Sequence, residues 1–330
     1  MIRIQPLTGL RAIEPMLKSL LDGLSTADAA YDRAIARAQR YASTLVKDRE
    51  FGVVGARVGG SIGKGTAIKP LSDVDLYLYL DEAHWRSTRG EELWPSTVIG
   101  RLRTRVAKRL HFEVAAGHAR IRKQRHSVGI QFYRAGSVSI DVVPALVTGS
   151  DVEEARIPRR RDDIFVATSV ERQLRLIEHL DTRAKYLRRG IRLLKYWNRQ
   201  ADVLLHSYAM EVLGMFAVTK GCKRTALGVF HAVLEFIGQT NMRTPVFIEH
   251  YYRYKPHARR ACVILDPAMP DNNLGAHLGA HVGDRLGVVA RRSLRRLAKA
   301  ATLAEQGKGR AAAEFLSAAF DRPGLFTWTE

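Results

Sequence analysis

The sequence predicts an α+β protein: a front half built on a mixed sheet with flanking helices, a helical back half, and a cleft between them. Three observations carry that expectation. Val74, Leu76, Leu78 and Leu80 alternate with Asp75, Tyr77 and Tyr79, the period of a strand with one face buried. A second alternation follows through Val128, Ile130 and Phe132, then a turn over 134–137, then Val138, Ile140 and Val142, which reads as a hairpin. From about residue 165 onward the apolar spacing is helical throughout. The expected division is therefore 1–165 for the front lobe and 166–330 for the helical lobe.

The elements follow in order. Residues 10–48 read as two helices, the first with a stripe of Met16, Leu20, Leu21 and Leu24, the second opening at a start signal over 25–28. The β-branched run 53–58 is a short strand that ends at Gly59-Gly60. Residues 94–110 form a basic helix after the Asp75 strand, and Pro144 is expected to end the second hairpin strand because it cannot donate to a ladder. In the back half helices are predicted over 167–181, 185–200, 207–220, 226–238, 246–253 and 287–306, with a Pro-rich loop over 266–273.

Composition narrows the class. At 330 residues and 46% hydrophobic the chain can bury a sizeable core. Two well-separated cysteines, Cys222 and Cys262, cannot supply a disulfide framework or the paired thiolates of a zinc site, which fits a reducing, cytoplasmic setting. No apolar run reaches the roughly 18 residues of a membrane span, so a soluble protein without a membrane partner is expected. The net charge of +20 favours phosphate-rich partners. Nine Lys or Arg stand against one acid, Glu113, between Arg101 and His126, and further clusters lie at 156–161, around Arg188 and Arg192, and over 291–299. Each is either a solvated face or a polyanion contact, such as RNA.

The chemistry concentrates between residues 59 and 75. Gly59-Gly60-Ser61 at a strand end allows close backbone approach to a phosphate. Asp73 and Asp75 project the same way from one strand, about 7 Å apart, and can share hard divalent cations. Asp141 lies on the polar face of a neighbouring strand and can adjoin them. A P-loop is excluded, since Gly65 separates Lys64 from Thr66.

Gly60-Ser61 with Gly65-Thr66, Asp73-x-Asp75, and Asp141 before Val142-Val143-Pro144 together resemble the active-site signature of polymerase-β-type nucleotidyltransferases. Leu193-Leu194-Lys195-Tyr196-Trp197, the segment His206 to Leu213, and the stretch Val263 to Gly275 follow in the order seen in 2′-5′-oligoadenylate synthases, and are similar to the bacterial CD-NTases. The resemblance runs from about residue 30 to 283. It implies a nucleotidyltransferase lobe over 1–165, an oligoadenylate synthase-like helical lobe over 166–330, and an active site in the cleft. It implies two Mg²⁺ ions, or Mn²⁺, held by Asp73, Asp75 and Asp141 as the catalytic set, with Gly60 and Ser61 on the terminal phosphates. Lys195 would reach the triphosphate, although its spacing with Arg188, Arg192 and Arg199 also fits a solvated face. Ser207 would contact phosphate or, equally, cap a helix. Substrates would be ATP and other NTPs, the product a cyclic di- or trinucleotide signal acting on a separate effector in antiphage defence. A linear, RNA-activated oligoadenylate synthase is the alternative, followed by an RNA-end nucleotidyltransferase or a nucleic-acid-binding pseudoenzyme. The animal cyclic GMP-AMP synthases carry an inserted zinc ribbon; this sequence lacks its His and Cys cluster, so zinc is not expected.

Overall fold

The computed structural model describes residues 9–25, 29–47, 51–86, 93–133, 138–201, 205–252 and 262–326. The start signal expected over 25–28 and the turn over 134–137 fall mainly or wholly outside the described residues. Two compact units divide the chain: Thr26–Leu176, and Met1–Ser25 together with Ile177–Glu330. That division differs from 165/166 in two ways. The first helix joins the C-terminal unit, and the boundary falls inside a helix.

In chain order the elements are α1 (Leu10–Leu24), α2 (Ala29–Val46), β1 (Val53–Val58), α3 (Gly60–Gly63), β2 (Asp73–Asp81), α4 (Glu82–Trp85), α5 (Pro95–Arg109) and α6 (His111–Ala115). Then come β3 (Ala119–Lys123), β4 (Val128–Phe132), β5 (Ser139–Val147), β6 (Ala155–Arg159), β7 (Ile164–Thr168) and α7 (Val170–Arg183). The remainder is α8 (Leu187–Gln200), α9 (Ser207–Thr219), α10 (Ala226–Thr240), α11 (Ala280–Glu305) and α12 (Gly309–Ala319).

The unit Thr26–Leu176 is organised by one sheet in the order β1-β2-β5-β4-β3, with β6 pairing both β5 and β7. Only β2 and β5 run parallel among these pairs, so the sheet is mixed. The alternation in β2 decides which face is which. Val74, Leu76, Leu78 and Leu80 pack with Ile140 and Val142 of β5 and with Val98, Ile99, Leu102 and Val106 of α5, all buried. Such burial contributes roughly 1.5–3 kcal/mol per large aliphatic side chain. Because the side chains of a strand alternate, this apolar anchorage forces Asp73, Asp75 and Tyr77 onto the opposite face.

Several elements depart from the expected ones. β3 was hidden because Arg120, Arg122 and Lys123 are exposed and only Ala119 is buried, so its hydrophobic alternation is faint. β5 runs on through Pro144 to Val147, in register with β2 throughout. Pro144 is tolerated because β4 leaves the ladder at Val142 and β6 joins only at Leu146.

In the unit of Met1–Ser25 and Ile177–Glu330, α10 is buried on every side from Leu227 to Gly238 and packs against α8, α9 and α11, as an all-round apolar helix should. α1 lies on α8, α11 and α12. Its buried face is Leu10, Ile13, Leu17 and Leu24; of the expected stripe only Leu24 is buried, and Met16, Leu20 and Leu21 are half-buried beside it. Of the helix expected over 246–253, the described residues 246–252 do not form one: Val246 bridges Ile264, and a single 3₁₀ turn spans Glu249–Tyr251. α11 begins at Ala280, seven residues before the expected start. Among the described residues no helix is long and apolar enough to cross a membrane.

Candidate active site

The carboxylate face is set by strand register. Asp75 stands directly opposite Asp141, and Asp73 opposite Ser139, across the parallel pair β2/β5. Residues in parallel register share a face, so the three carboxylates gather at the N-terminal ends of two neighbouring strands. All three are half-buried. Burial first, and then the charge of Asp73, push the Asp141 carboxyl up from its usual range to about 6, while a hydrogen bond from Gln124 pulls the other way. Burial is the larger cause and the neighbouring like charge adds to it, and a divalent cation would relieve both.

The turn after β1 closes on this face. Gly59 N donates to Asp75 O at 3.0 Å, which ties the turn to the aspartate strand. Gly60 has φ +58, and a Cβ there would lie 1.7 Å from Asp75 Oδ2. Only glycine allows the backbone so close to the carboxylate. Ser61 follows in the short helix α3, its carbonyl accepting from Thr66 N at 2.8 Å and Ala67 N at 3.1 Å. Lys64 is buried and donates to Gln173 Oε1 at 3.4 Å.

The structure therefore brings Gly60, Ser61, Asp73, Asp75 and Asp141 together within one unit. Lys195 and Ser207 belong to the other. Lys195 does not lie on a solvated face: it is 6% exposed, and its Nζ donates to Glu211 Oε1 at 2.5 Å, with Glu211 1% exposed. Ser207 is the exposed first residue of α9, and the cap is His206, whose Nδ1 accepts from Tyr208 N. In the same unit the buried Asp266 accepts from Tyr208 Oη at 2.7 Å and from Ala268 N at 2.8 Å, which fixes the 266–273 loop.

Two residues beside the carboxylates escaped the sequence reading. Gln124 Nε2 donates to Asp141 Oδ1 at 3.0 Å, and Ser127 Oγ donates to Gln124 Oε1. The amide fits because Gly129, paired with Asp141, has no side chain: a Cβ there would sit 2.4 Å from Gln124 Nε2. An isolated Gly in a strand pattern is the one signal that pointed to such close approach. Among the described residues no three His, Cys, Asp or Glu side chains are already drawn together as a metal cage. As a donor set, three carboxylates on one face, with the Asp141 carboxyl pushed up to about 6, suit hard divalent cations.

A parallel strand pair carrying three carboxylates, with a glycine turn against them, defines a nucleotidyltransferase class of site. Residues 13–179 match the Second Messenger Oligonucleotide or Dinucleotide Synthetase domain, and residues 159–298 match the C-terminal domain 2 of 2′-5′-oligoadenylate synthetase 1. The chain belongs to this synthetase family, the CD-NTases, and is a nucleotidyltransferase.

Among curated relatives it is similar to the cyclic AMP-AMP-AMP synthase of Escherichia coli (strain MS 115-1), 24% identical over 65% of this chain and 67% of that protein. It is also similar to an inactive 2′-5′-oligoadenylate synthase 1B of Rattus norvegicus, 28% identical over 66% of each. The chain thus spans about two thirds of both. In fold it resembles E. coli MS115-1 CdnC in a HORMA-deltaN complex, with a TM-score of 0.76, 19% identity and coverage of 98% of this chain and 99% of that one. Vibrio cholerae DncV cyclic AMP-GMP synthase aligns with a TM-score of 0.58, 14% identity and coverage of 98% and 87%.

Proposed function

We propose that this protein joins ribonucleoside triphosphates, ATP among them, into a cyclic di- or trinucleotide signal with release of pyrophosphate at each step. The observation that carries this reading is the register Asp75 opposite Asp141 beside the Gly60 turn. Asp73 and Asp75 would hold two Mg²⁺ or Mn²⁺ ions and Asp141 would complete the site. When bound, such ions supply Lewis acidity to the attacking hydroxyl and to the departing pyrophosphate. Backbone N–H groups at Gly60 and Ser61, with the Ser61 hydroxyl, orient the terminal phosphates. The ribose hydroxyl oxygen bonds to the α-phosphorus, the bond to the β-phosphate oxygen breaks, and Asp141 receives the hydroxyl proton. Lys195 and Ser207 are assigned to the triphosphate by the family resemblance, Lys195 with Glu211 holding its ammonium in place.

The relative named a cyclic AMP-AMP-AMP synthase supports a cyclic product, and the HORMA complex of CdnC supports a protein partner of that kind; a role in antiphage signalling through a separate effector rests on the family resemblance alone. A second reading, an RNA-activated linear 2′-5′-oligoadenylate synthase, is favoured by the match over 159–298 and the net charge of +20. Incubation with labelled NTPs and Mg²⁺, with and without double-stranded RNA, followed by phosphatase and mass spectrometry, separates the two. A phosphatase-resistant product is expected. A sensitive ladder that appears only with RNA would replace the cyclic reading by the linear one, and no product under either condition would remove both.

A further inference from the structure

The basic clusters of this chain have different fates. Arg156 pairs with Glu82, Arg159 with Asp162, Arg188 with Asp181 and Glu178, and Arg292 and Arg296 with Asp321. Those pairs neutralise part of each cluster, although Arg160, Arg161, Arg295 and Lys299 among the described residues have no ion pair. By contrast, among the described residues Arg101, Arg103, Arg120, Arg122 and Lys123 form no ion pair. Like charges left together on α5 and β3 repel one another, and no carboxylate among the described residues offsets these five.

Three cations of this region, Arg101, Arg105 and Lys123, line an open groove of about 870 Å³ in the unit Thr26–Leu176. That volume is in the range of small-molecule sites. Its floor is rigid: Phe51 and Trp85 are buried and meet edge to face at 5.0 Å, and Trp85 Nε1 donates to Phe51 O at 2.9 Å. The floor also aims the cations. Arg101 Nη1 donates to Trp85 O at 3.3 Å, and the Arg105 guanidinium lies 5.9 Å from the Phe51 ring centre. Lys123 comes in from β3 over Gly100, where a Cβ would sit 3.6 Å from Nζ. Thr97, Arg101 and Arg105 stand one helical turn apart, about 6 Å of rise each. Thr97 adds a hydroxyl to the lining, while the Thr104 hydroxyl donates to Gly100 O at 3.2 Å. Asp163 does not neutralise the groove, because it is engaged as the acceptor for Ser96 N and Oγ at the start of α5.

We propose that this groove is a second anion site, which takes a phosphate-bearing ligand of nucleotide dimensions. Guanidinium forks, an ammonium and hydroxyls converging over a fixed aromatic floor match phosphate oxygens and exclude cations. The phosphates can come from a free nucleotide or from an RNA strand, and the test distinguishes them. The full-length D73N/D75N protein, in EDTA to silence the carboxylate site, is titrated with ATP and separately with a short single-stranded RNA. Binding is read by calorimetry and by hydrogen exchange of peptides covering α5 and β3.

Protection of α5 by ATP identifies a free nucleotide; protection by RNA alone identifies a strand, and a log–log salt dependence should accompany it. Replacing Arg101 and Lys123 together by Ala should weaken the groove event roughly 100-fold, two charge-assisted contacts being lost. R103A, on the same helix but outside the lining, should leave it unchanged. If neither probe protects α5, or if R101A/K123A binds as the parent does, the groove is not a phosphate site. None of these side chains is assigned to the proposed reaction, so that result leaves the cyclic-product assay untouched, and the reverse also holds.

Discussion

The two units handle charge in opposite ways. On β2 and β5, Asp73, Asp75 and Asp141 crowd one half-buried face, where strand register places them. Between α8 and α9, Lys195 and Glu211 form a buried ion pair inside the helical core. The first arrangement is electrostatically unfavourable when empty and complementary to a cation; the second pairs opposite charges within the fold, with Glu211 Oε1 engaged by Lys195 and Glu211 Oε2 left without a hydrogen-bond partner. Removing charge should therefore cost function in one place and stability in the other.

The largest effect expected is on synthesis. D75N should lower activity on the order of 10³-fold or more, the scale for losing a group that acts in the transition state, with the unfolding midpoint unchanged or raised. G60A should reach a similar loss by crowding, since its Cβ would overlap Asp75 Oδ2 and its φ of +58 would strain an alanine. Rates of pyrophosphate release alongside urea unfolding decide this. An active D75N protein would break the assignment of the face.

Next in size is the buried pair. K195M alone should destabilise by about 3–5 kcal/mol, because it strands a buried carboxylate, whereas K195M/E211L should recover most of that loss. Urea unfolding of the three proteins tests it. If the double variant is as stable as the parent yet inactive with NTPs, the pair is kept for its role toward phosphate; if it is stable and active, Lys195 leaves the proposed site. Equal stability of K195M and the parent would remove the contrast between the units.

What could be read from the sequence follows the same contrast. The alternation of β2 and β5 exposes the carboxylate face because period two needs no knowledge of neighbours, and α8 shows its Leu187, Ile191 and Leu194 stripe for the same reason at period 3.6. Lys195 was ambiguous because its partner is sixteen residues away on another helix, and helical spacing alone grouped it with Arg188, Arg192 and Arg199. Gln124 was invisible: its contact with Asp141 exists only once β3, β4 and β5 are in register and Gly129 opens the gap. β3 itself was masked by arginines that an edge strand can point into solvent, a placement that also discourages edge-to-edge pairing. α1 could be recognised as a helix from its spacing, but the unit it joins depends on α11, more than 250 residues later.

The smallest effect reads the strain of the carboxylate face directly. Asp141 holds its proton more tightly in the folded chain than its usual carboxylate value of 3.8 allows, up to about 6. The folded state then binds more protons than the unfolded state between those values, so its stabilising contribution is fully present below about 3.8 and is lost as pH rises through about 6. Because the side chain is only partly buried, the difference should be on the order of 1 kcal/mol. It is measured as the gap between the unfolding midpoints of the parent and D141N in EDTA from pH 4 to pH 7, with D141N gaining on the parent as pH rises. Q124L should push the parent's loss further toward alkaline pH, since the hydrogen bond from Gln124 favours the ionised carboxyl. Saturating Mg²⁺ should close the gap or invert it, because a cation on the same oxygens reverses the sign of the crowding. Parallel curves for the parent and D141N would show that the three carboxylates do not share a field, and the register argument for a common metal face would fail with them.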